Sequence, residues 1–242
     1  MILFTSFVKS HNTKRQQGFS LIEMAIVLVI VGLLLGGLMM PLSSQREVSQ
    51  RQDTERQLQE IRNALIGFAQ ANNRLPCPAA ATDLGVAPPQ PCLPGRDRIP
   101  HVTLGIQGTI INGNLVDVWQ QPIRYRLANP APGGWVYATP PIPTAPLFDT
   151  PLMPYLQICP AAGACPTPNA VDVVAVIFST GKDGPDVAVS TSPDQVQNRL
   201  LATTNFVMRP PTEYVKTGLE FDDIVVWISQ PTLIYELSRA GQ

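Results

Sequence analysis

The hydrophobic pattern of the chain is dominated by one apolar run, residues 19–41, in which Glu23 is the only ionisable side chain. About 22 helical residues rising roughly 1.5 Å each extend about 33 Å, which is enough to cross the hydrocarbon core of a bilayer. A carboxylate within hydrocarbon costs on the order of 2.5–3.5 kcal/mol on insertion scales, so Glu23 needs a cationic partner or a neutral state close to the headgroups. A free α-amino group on Phe19, created by cleavage after Gly18, could be that partner.

The positions after Pro41 continue a helical pattern. Residues 43–57 are polar on nearly all faces and predict a solvated connecting helix. An apolar stripe then recurs at three- and four-residue steps, and it comprises Leu58, Ile61, Leu65, Phe68 and Asn72. We therefore predict a helix over residues 19–71 that ends before Pro76, with residues 42–73 packing on a sheet through this stripe.

The remainder, residues 74–242, has the pattern of one β-rich globular domain with Pro-rich loops. Residues 77–100 contain several prolines and predict an irregular surface loop. Alternating or continuous apolar residues predict strands at 123–127 (half-buried), 135–138, 171–178 and 224–228, and a closing helix is predicted at 231–239. The pattern predicts an α+β fold in which a long amino-terminal helix packs against an antiparallel β-sheet.

Charge places the two ends of the apolar run on opposite sides of a membrane. The leader, residues 1–18, has three basic and no acidic residues, and its removal changes the net charge from −1 to −4. Basic residues before an apolar helix favour a cytoplasmic amino terminus, so the domain should lie on the periplasmic side. No small-x-small cleavage site follows the run, which is therefore expected to be retained. The negative balance gives no indication of nucleic-acid binding.

Four cysteines fall within the domain: Cys77, Cys92, Cys159 and Cys165. Disulfides persist in a periplasmic compartment, and local pairing of the first two and of the last two is the favoured one of three connectivities. A zinc site has little support because no Cys-x-x-Cys spacing occurs. Four reduced, buried thiols are the remaining alternative.

Residues 14–23, Lys-Arg-Gln-Gln-Gly-Phe-Ser-Leu-Ile-Glu, resemble the cleavage and methylation signal of type IV pilins and type II secretion pseudopilins. The resemblance implies that a prepilin peptidase cuts between Gly18 and Phe19 and methylates the new amino group. It also implies that Glu23 pairs with the amino terminus of a neighbouring subunit in a filament. Later segments are similar to a pseudopilin-like family: residues 75–78, 99–105, 117–119, 179–184 and 221–227.

The same resemblance raises the question of calcium. Major pseudopilins hold a calcium ion in a loop between sheet strands, which makes hard oxygen ligands of Asp183, Asp186, Asp222 and Asp223. This chain departs from that pattern through a long insertion and through Pro185. The alternative is an Asp-Gly turn whose aspartates bond backbone amides. No other cofactor is expected.

An enzymatic site is not visible in the sequence. A hydrolytic site needs a nucleophile, a base and an orienting group, whereas His11 lies in the leader and His101 stands alone. We expect His101 to be a surface or packing residue. Trp119, Trp135 and Trp227 lie in or beside apolar strands and are expected in the core, a platform for a ligand being the alternative.

These observations predict a non-enzymatic, pilin-like structural subunit, a minor pilin or pseudopilin of a type IV pilus or type II secretion pseudopilus. It would sit in the bacterial inner membrane with a periplasmic domain and then enter the filament. The expected partners are prepilin peptidase, other pilins or pseudopilins, an inner-membrane assembly platform and membrane lipid, with no nucleic acid. A filament adhesin or DNA-binding pilin, or a membrane-tethered periplasmic enzyme, are the alternatives.

Overall fold

The computed structural model describes residues 19–128, 156–184, 192–212 and 218–241. The chain divides into two compact units, residues 1–48 and 49–242. Within the described residues the helices and strands are α1 Leu21–Asn72, α2 His101–Leu104, β1 Ile110–Ile111, β2 Asn114–Leu115, β3 Arg124–Leu127, β4 Leu156–Cys159, β5 Ala170–Ser179, α3 Pro193–Arg199, β6 Asn205–Val207, β7 Ile224–Ser229 and α4 Gln230–Arg239. The fold is α+β with an amino-terminal helix, compatible with the predicted class.

The described part of the first unit is helical from Leu21 onward. Every side chain of residues 19–34 is exposed, with Phe19 at 80% and Leu21 at 92%. Among the residues that the structure describes, no helix combines the length and apolarity needed to cross a membrane.

In the second unit, α1 buries one side against the domain. Leu58, Ile61 and Leu65 are fully buried and share one hydrophobic core with strand residues of the sheet. Further along, Ala69 is buried, whereas Phe68 is only half-buried and Asn72 is exposed, so the end of the predicted stripe is wrong by one position. The helix ends as predicted, because Asn73 takes a positive φ of 50° that stops the helical path.

Residues at the start of this unit are less solvated than the polar pattern predicted. Thr54 is fully buried. Arg51 donates hydrogen bonds to the backbone carbonyls of Asp222 and Asp223, at 3.0 and 3.3 Å. One face of this stretch, at Arg51 and Thr54, therefore contacts the domain, whereas Gln52, Asp53, Glu55 and Arg56 are exposed as predicted.

The sheet is organised around β5. Strand β7 runs antiparallel to it from Val173–Ser229 to Ser179–Ile224, and β3 pairs with the other edge at residues 175–178. Strand β4 pairs with β5 near Ala170 and Val173, so β3 and β4 follow each other along one edge. The sheet is mixed rather than antiparallel, because β4 and β6 run parallel.

Strand β3 corrects one expectation about burial. The alternation of apolar and basic residues predicted a half-buried strand, but all four residues are buried, including Arg124 and Arg126. Tyr125 is fully buried, and its hydroxyl donates to the carbonyl of Pro76. Burial raises the pKa of that phenol above its ordinary value. The predicted strand at 135–138, with Trp135, lies outside the described residues.

The Pro-rich segment 77–100 is irregular apart from a short 3-10 helix, Ala81–Asp83. It is not confined to the surface, since Cys77, Ala79 and Ile99 are buried. A hairpin of β1 and β2 follows it, and residues 112 and 113 of its Asn-Gly turn both take positive φ. An Asn-Gly pair is a sequence signal for a hairpin turn, but this hairpin was not among the predicted elements.

Candidate functional site

The first turn of α1 forms a reciprocal hydrogen-bonded cap. The amide of Glu23 donates to Ser20 Oγ at 3.2 Å, and the amide of Ser20 donates to Glu23 Oε2 at 3.4 Å. This is the capping box of a Ser-x-x-Glu sequence, in which two unpaired amides at a helix start find acceptors. Glu23 therefore has a local hydrogen-bond partner in Ser20, which the sequence analysis did not predict. Gly18 lies outside the described residues.

The four cysteines form two disulfides, in the local pairing that the sequence favoured. Cys77 bonds to Cys92, and Cys159 bonds to Cys165, which leaves no free cysteine in the chain. The first bond closes a loop within the Pro-rich segment 77–100, and the second closes a short loop after β4. With both bonds formed, none of the four sulfurs is a thiolate of the kind that binds zinc.

Three segments that the sequence singled out meet at the end of β5. Asp117 Oδ1 accepts hydrogen bonds from the amides of Trp119 and Gln121, at 2.9 and 2.8 Å. Its Oδ2 accepts from the hydroxyl of Ser179, whose oxygen accepts in turn from the amide of Gly181. Burial raises the pKa of Asp117, and the three hydrogen bonds oppose that rise. This carboxylate thus joins the turn after β2 to the turn after β5.

Asp222 also accepts a hydrogen bond from the turn after β5. Its Oδ2 accepts from the amide of Asp183 at 3.0 Å, and its Oδ1 accepts from the side chain of Gln195. A Cβ at Gly181 would lie 2.4 Å from Asp222 Oδ2, so only glycine allows this approach. Burial raises the pKa of Asp222 as well.

Asp223, the neighbour of Asp222, is a buried carboxylate with one clear hydrogen bond. Its Oδ2 accepts from Asn198 Nδ2 at 2.8 Å, and its Oδ1 lies 3.8 Å from Arg199 Nη2. Desolvation by burial raises the pKa of Asp223 to about 7, with Arg199 acting in the opposite direction and the charges of Asp222 and Asp183 adding to the rise.

The calcium hypothesis can be compared with this geometry. Both carboxylate oxygens of Asp222 and Oδ2 of Asp223 accept hydrogen bonds from nitrogen donors. Among the described residues, no group of three or more His, Cys, Asp or Glu side chains is placed to hold a metal ion. Asp186 lies outside those residues. Calcium binding by Asp183, Asp186, Asp222 and Asp223 therefore stays a prediction of the sequence.

The burial of Asp223 predicts a pH-dependent stability. An unfolded Asp titrates near 3.9, so between about pH 4 and pH 7 the folded state holds a proton that the unfolded state releases. The free energy of unfolding should therefore fall as pH rises through this window. Asp223→Asn, which keeps the shape and an acceptor for Asn198, should reduce the difference in Tm between pH 5 and pH 8 by a few degrees. Thermal unfolding followed by circular dichroism measures this difference.

The matched control for this prediction is Asp53→Asn. Asp53 is half-exposed on α1 and pairs only with Arg56 in the described structure. This variant should keep the wild-type difference in Tm. Equal differences in wild type and Asp223→Asn would show that the buried carboxylate does not titrate in this window.

His101 and two of the tryptophans were expected to be packing residues. His101 is buried, and a Cβ on Gly85 would collide with its ring at 2.0 Å, so His101 is a packing residue. Trp119 and Trp227 are partly buried and pack against the hydrophobic core, as expected.

A cluster of buried charges around Asp97 was not predicted. Asp97 Oδ2 accepts a hydrogen bond from Arg124 Nη1 and lies 3.7 Å from Arg126 Nη2, while its Oδ1 lies 3.2 Å from Arg98 Nη1. The backbone places the carboxylate there, because the amide of Tyr125 donates to the carbonyl of Asp97 at 2.8 Å. One carboxylate thus faces three guanidinium groups.

Comparison with known proteins identifies the amino-terminal segment. Residues 13–39 match a family model described as the prokaryotic N-terminal methylation motif. The chain therefore carries the prepilin-type signal of type IV pilins and pseudopilins, which confirms the predicted resemblance. Searches of curated proteins and of solved structures found no significant match.

Proposed function

We propose that the protein is a structural subunit, a minor pilin or pseudopilin, that is processed after Gly18 and assembled into a filament through α1. The observation that carries the proposal is the methylation motif at residues 13–39, on a helix whose apolar side chains up to residue 34 are exposed. A contiguous apolar surface of this kind is rare on soluble monomers and marks a membrane or protein interface. The same helix serves both in turn: it is anchored in the inner membrane first and packed among other helices later.

Glu23 fits this role because its local partner is weak and exposed. Both of its hydrogen bonds with Ser20 are long and lie on the surface. In an apolar interior a carboxylate gains much more from a cation than from one backbone amide. We propose that the methylated α-amino group of a neighbouring subunit replaces this cap during assembly.

The remaining parts of the chain support a structural role. The methylation motif supports a structural protein rather than an enzyme. The described polar clusters at the end of β5 tie turns together through side chain to backbone hydrogen bonds. The larger domain with its disulfide-closed loops favours a low-abundance subunit over the main subunit of a tightly packed shaft.

Mass spectrometry of the mature amino terminus tests the proposal. In cells with an active prepilin peptidase, we expect the chain to begin at Phe19 with a methylated amino group, and in cells without that peptidase to retain residues 1–18. The peptidase-deficient strain is the control, because it separates this cleavage from general proteolysis. An intact leader in both strains, or cleavage at another bond, would contradict the proposed processing.

A further inference from the structure

Strand β6 lies at the end of the sheet, where one backbone edge needs partners other than a strand. Among the strands that the structure describes, only β4 pairs with it. The carbonyl of Thr204 accepts a hydrogen bond from β4, and the amide of Met208 donates one to β4. Because alternate residues of a paired strand direct their amides and carbonyls to the same edge, those of Asn205 and Val207 face away from β4.

Asn198 of α3 occupies the place of a pairing strand beside Val207. Its Oδ1 accepts a hydrogen bond from the amide of Val207 at 2.6 Å, and its Nδ2 donates to the carbonyl of Val207 at 3.0 Å. One buried side-chain amide thus satisfies both backbone groups, as a neighbouring backbone would. The Nδ2 atom also donates to Asp223 Oδ2 at 2.8 Å, so the buried carboxylate fixes the orientation of the amide.

The backbone groups of Asn205 are closed in the same way. Its carbonyl accepts from Gln197 Nε2 at 2.9 Å and from Thr203 Oγ1 at 2.8 Å. Its amide donates to Thr203 Oγ1 at 3.2 Å. All four outward-facing backbone groups of β6 therefore bond to side chains, and three of the four bond to α3 or to the turn that follows it through contacts of 3.0 Å or less.

The sequence of this segment shows why such closure is needed. Residues 200–208 contain no charged residue, no proline and no glycine, and they include the strand-forming residues Phe206 and Val207. Uncharged segments of this kind pair with identical segments when they lie on an open sheet edge. We propose that α3 closes the edge of β6 against strand pairing with a second copy of this chain, with Asn198 as the closing residue. This role goes beyond the proposed assembly through α1 and does not depend on it.

Asn198→Ala in the full chain tests the proposal, with each protein compared with wild type in the same detergent micelles. The variant removes both side-chain bonds to Val207, so hydrogen exchange of the β6 amides at low protein concentration should become about tenfold faster. Self-association, measured by sedimentation velocity, should become about tenfold tighter. As copies pair at high concentration, exchange of the β6 amides should slow again.

A second substitution separates edge pairing from general loss of stability, because Asn198→Ala also loses the bond to Asp223. Asn205→Pro removes an outward-facing amide, a position where proline is tolerated and where it blocks an incoming strand. The double variant should associate like wild type. Gln70→Ala, which removes a side-chain donor to the carbonyl of Glu236 in α4, should do so too. Wild-type association of Asn198→Ala, association that persists in the double variant, or equal association of Gln70→Ala would overturn the proposal.

Discussion

Glu23→Gln should reduce incorporation of the subunit into its filament by on the order of 100-fold or more. Glutamine at the third helical position of a capping box can still accept a hydrogen bond from the Ser20 amide, so this change removes the charge and keeps the cap. Under the proposed function, the neighbouring α-amino group is then buried without a counter-charge. Leaving one partner of a buried ion pair alone costs about 3–5 kcal/mol, which corresponds to a factor of roughly one hundred to several thousand in the equilibrium.

The matched control is Ser20→Ala. It removes the hydroxyl that accepts from the Glu23 amide but keeps the carboxylate, and loss of a cap costs only about 1 kcal/mol. Incorporation should therefore stay close to wild type when the sheared filament fraction is compared with the membrane fraction by immunoblot. If Glu23→Gln assembles normally, or if Ser20→Ala fails equally, the charge of Glu23 is not what assembly requires. The comparison is valid only if each variant is cleaved normally after Gly18.

The parts of the fold that sequence predicted well are those whose signal is local and strong. Strand β5 and strand β7 were expected because their residues are continuously apolar and β-branched. The end of α1 followed from the asparagines at 72 and 73, and α4 followed from Pro231 in its first turn. Each of these elements can be recognised from its own residues, whatever lies beside it.

The parts that sequence missed depend on partners far along the chain. Strands β4 and β6 have four and three residues, and only their parallel pairing makes them strands. Helix α3 has seven residues and no apolar periodicity. Alternating basic residues in β3 predicted an exposed face, because nothing near them indicated that Asp97 would cover that face.

The candidate sites also differ in whether a local pattern or a distant partner defines them. The processing signal at residues 13–39 is a local pattern, and the family comparison confirmed it. The motif segments around Asp117, Gly181 and Asp222 were each recognised, but their hydrogen bonds to one another join residues 39 to 62 positions apart. A resemblance between segments shows that they matter without showing that they touch. The local capping box of Ser20 and Glu23, by contrast, was readable from the sequence and was overlooked.

Asp97→Asn should destabilise the domain more than substitution of any exposed carboxylate. The change leaves Arg98, Arg124 and Arg126 without their shared counter-charge. Burial lowers the pKa of Arg124, and that of Arg126 to about 10, whereas the charge of Asp97 raises both, so the change removes the group that favours their charged forms. The expected cost is about 3–5 kcal/mol, or a fall of roughly 10 °C in Tm.

A second substitution distinguishes charge imbalance from simple loss of a hydrogen bond. If the excess of cations causes the instability, Arg126→Met introduced into Asp97→Asn should recover part of the lost Tm, although it removes a further polar contact. If instead the lost hydrogen bond from Arg124 dominates, the double variant should be no more stable than Asp97→Asn. Thermal unfolding of the two single variants, the double variant and the exposed control Asp53→Asn completes this comparison. A fall in Tm for Asp97→Asn no larger than that of Asp53→Asn would mean that water or another anion already balances the arginines, and the cluster would then be more open than its burial indicates.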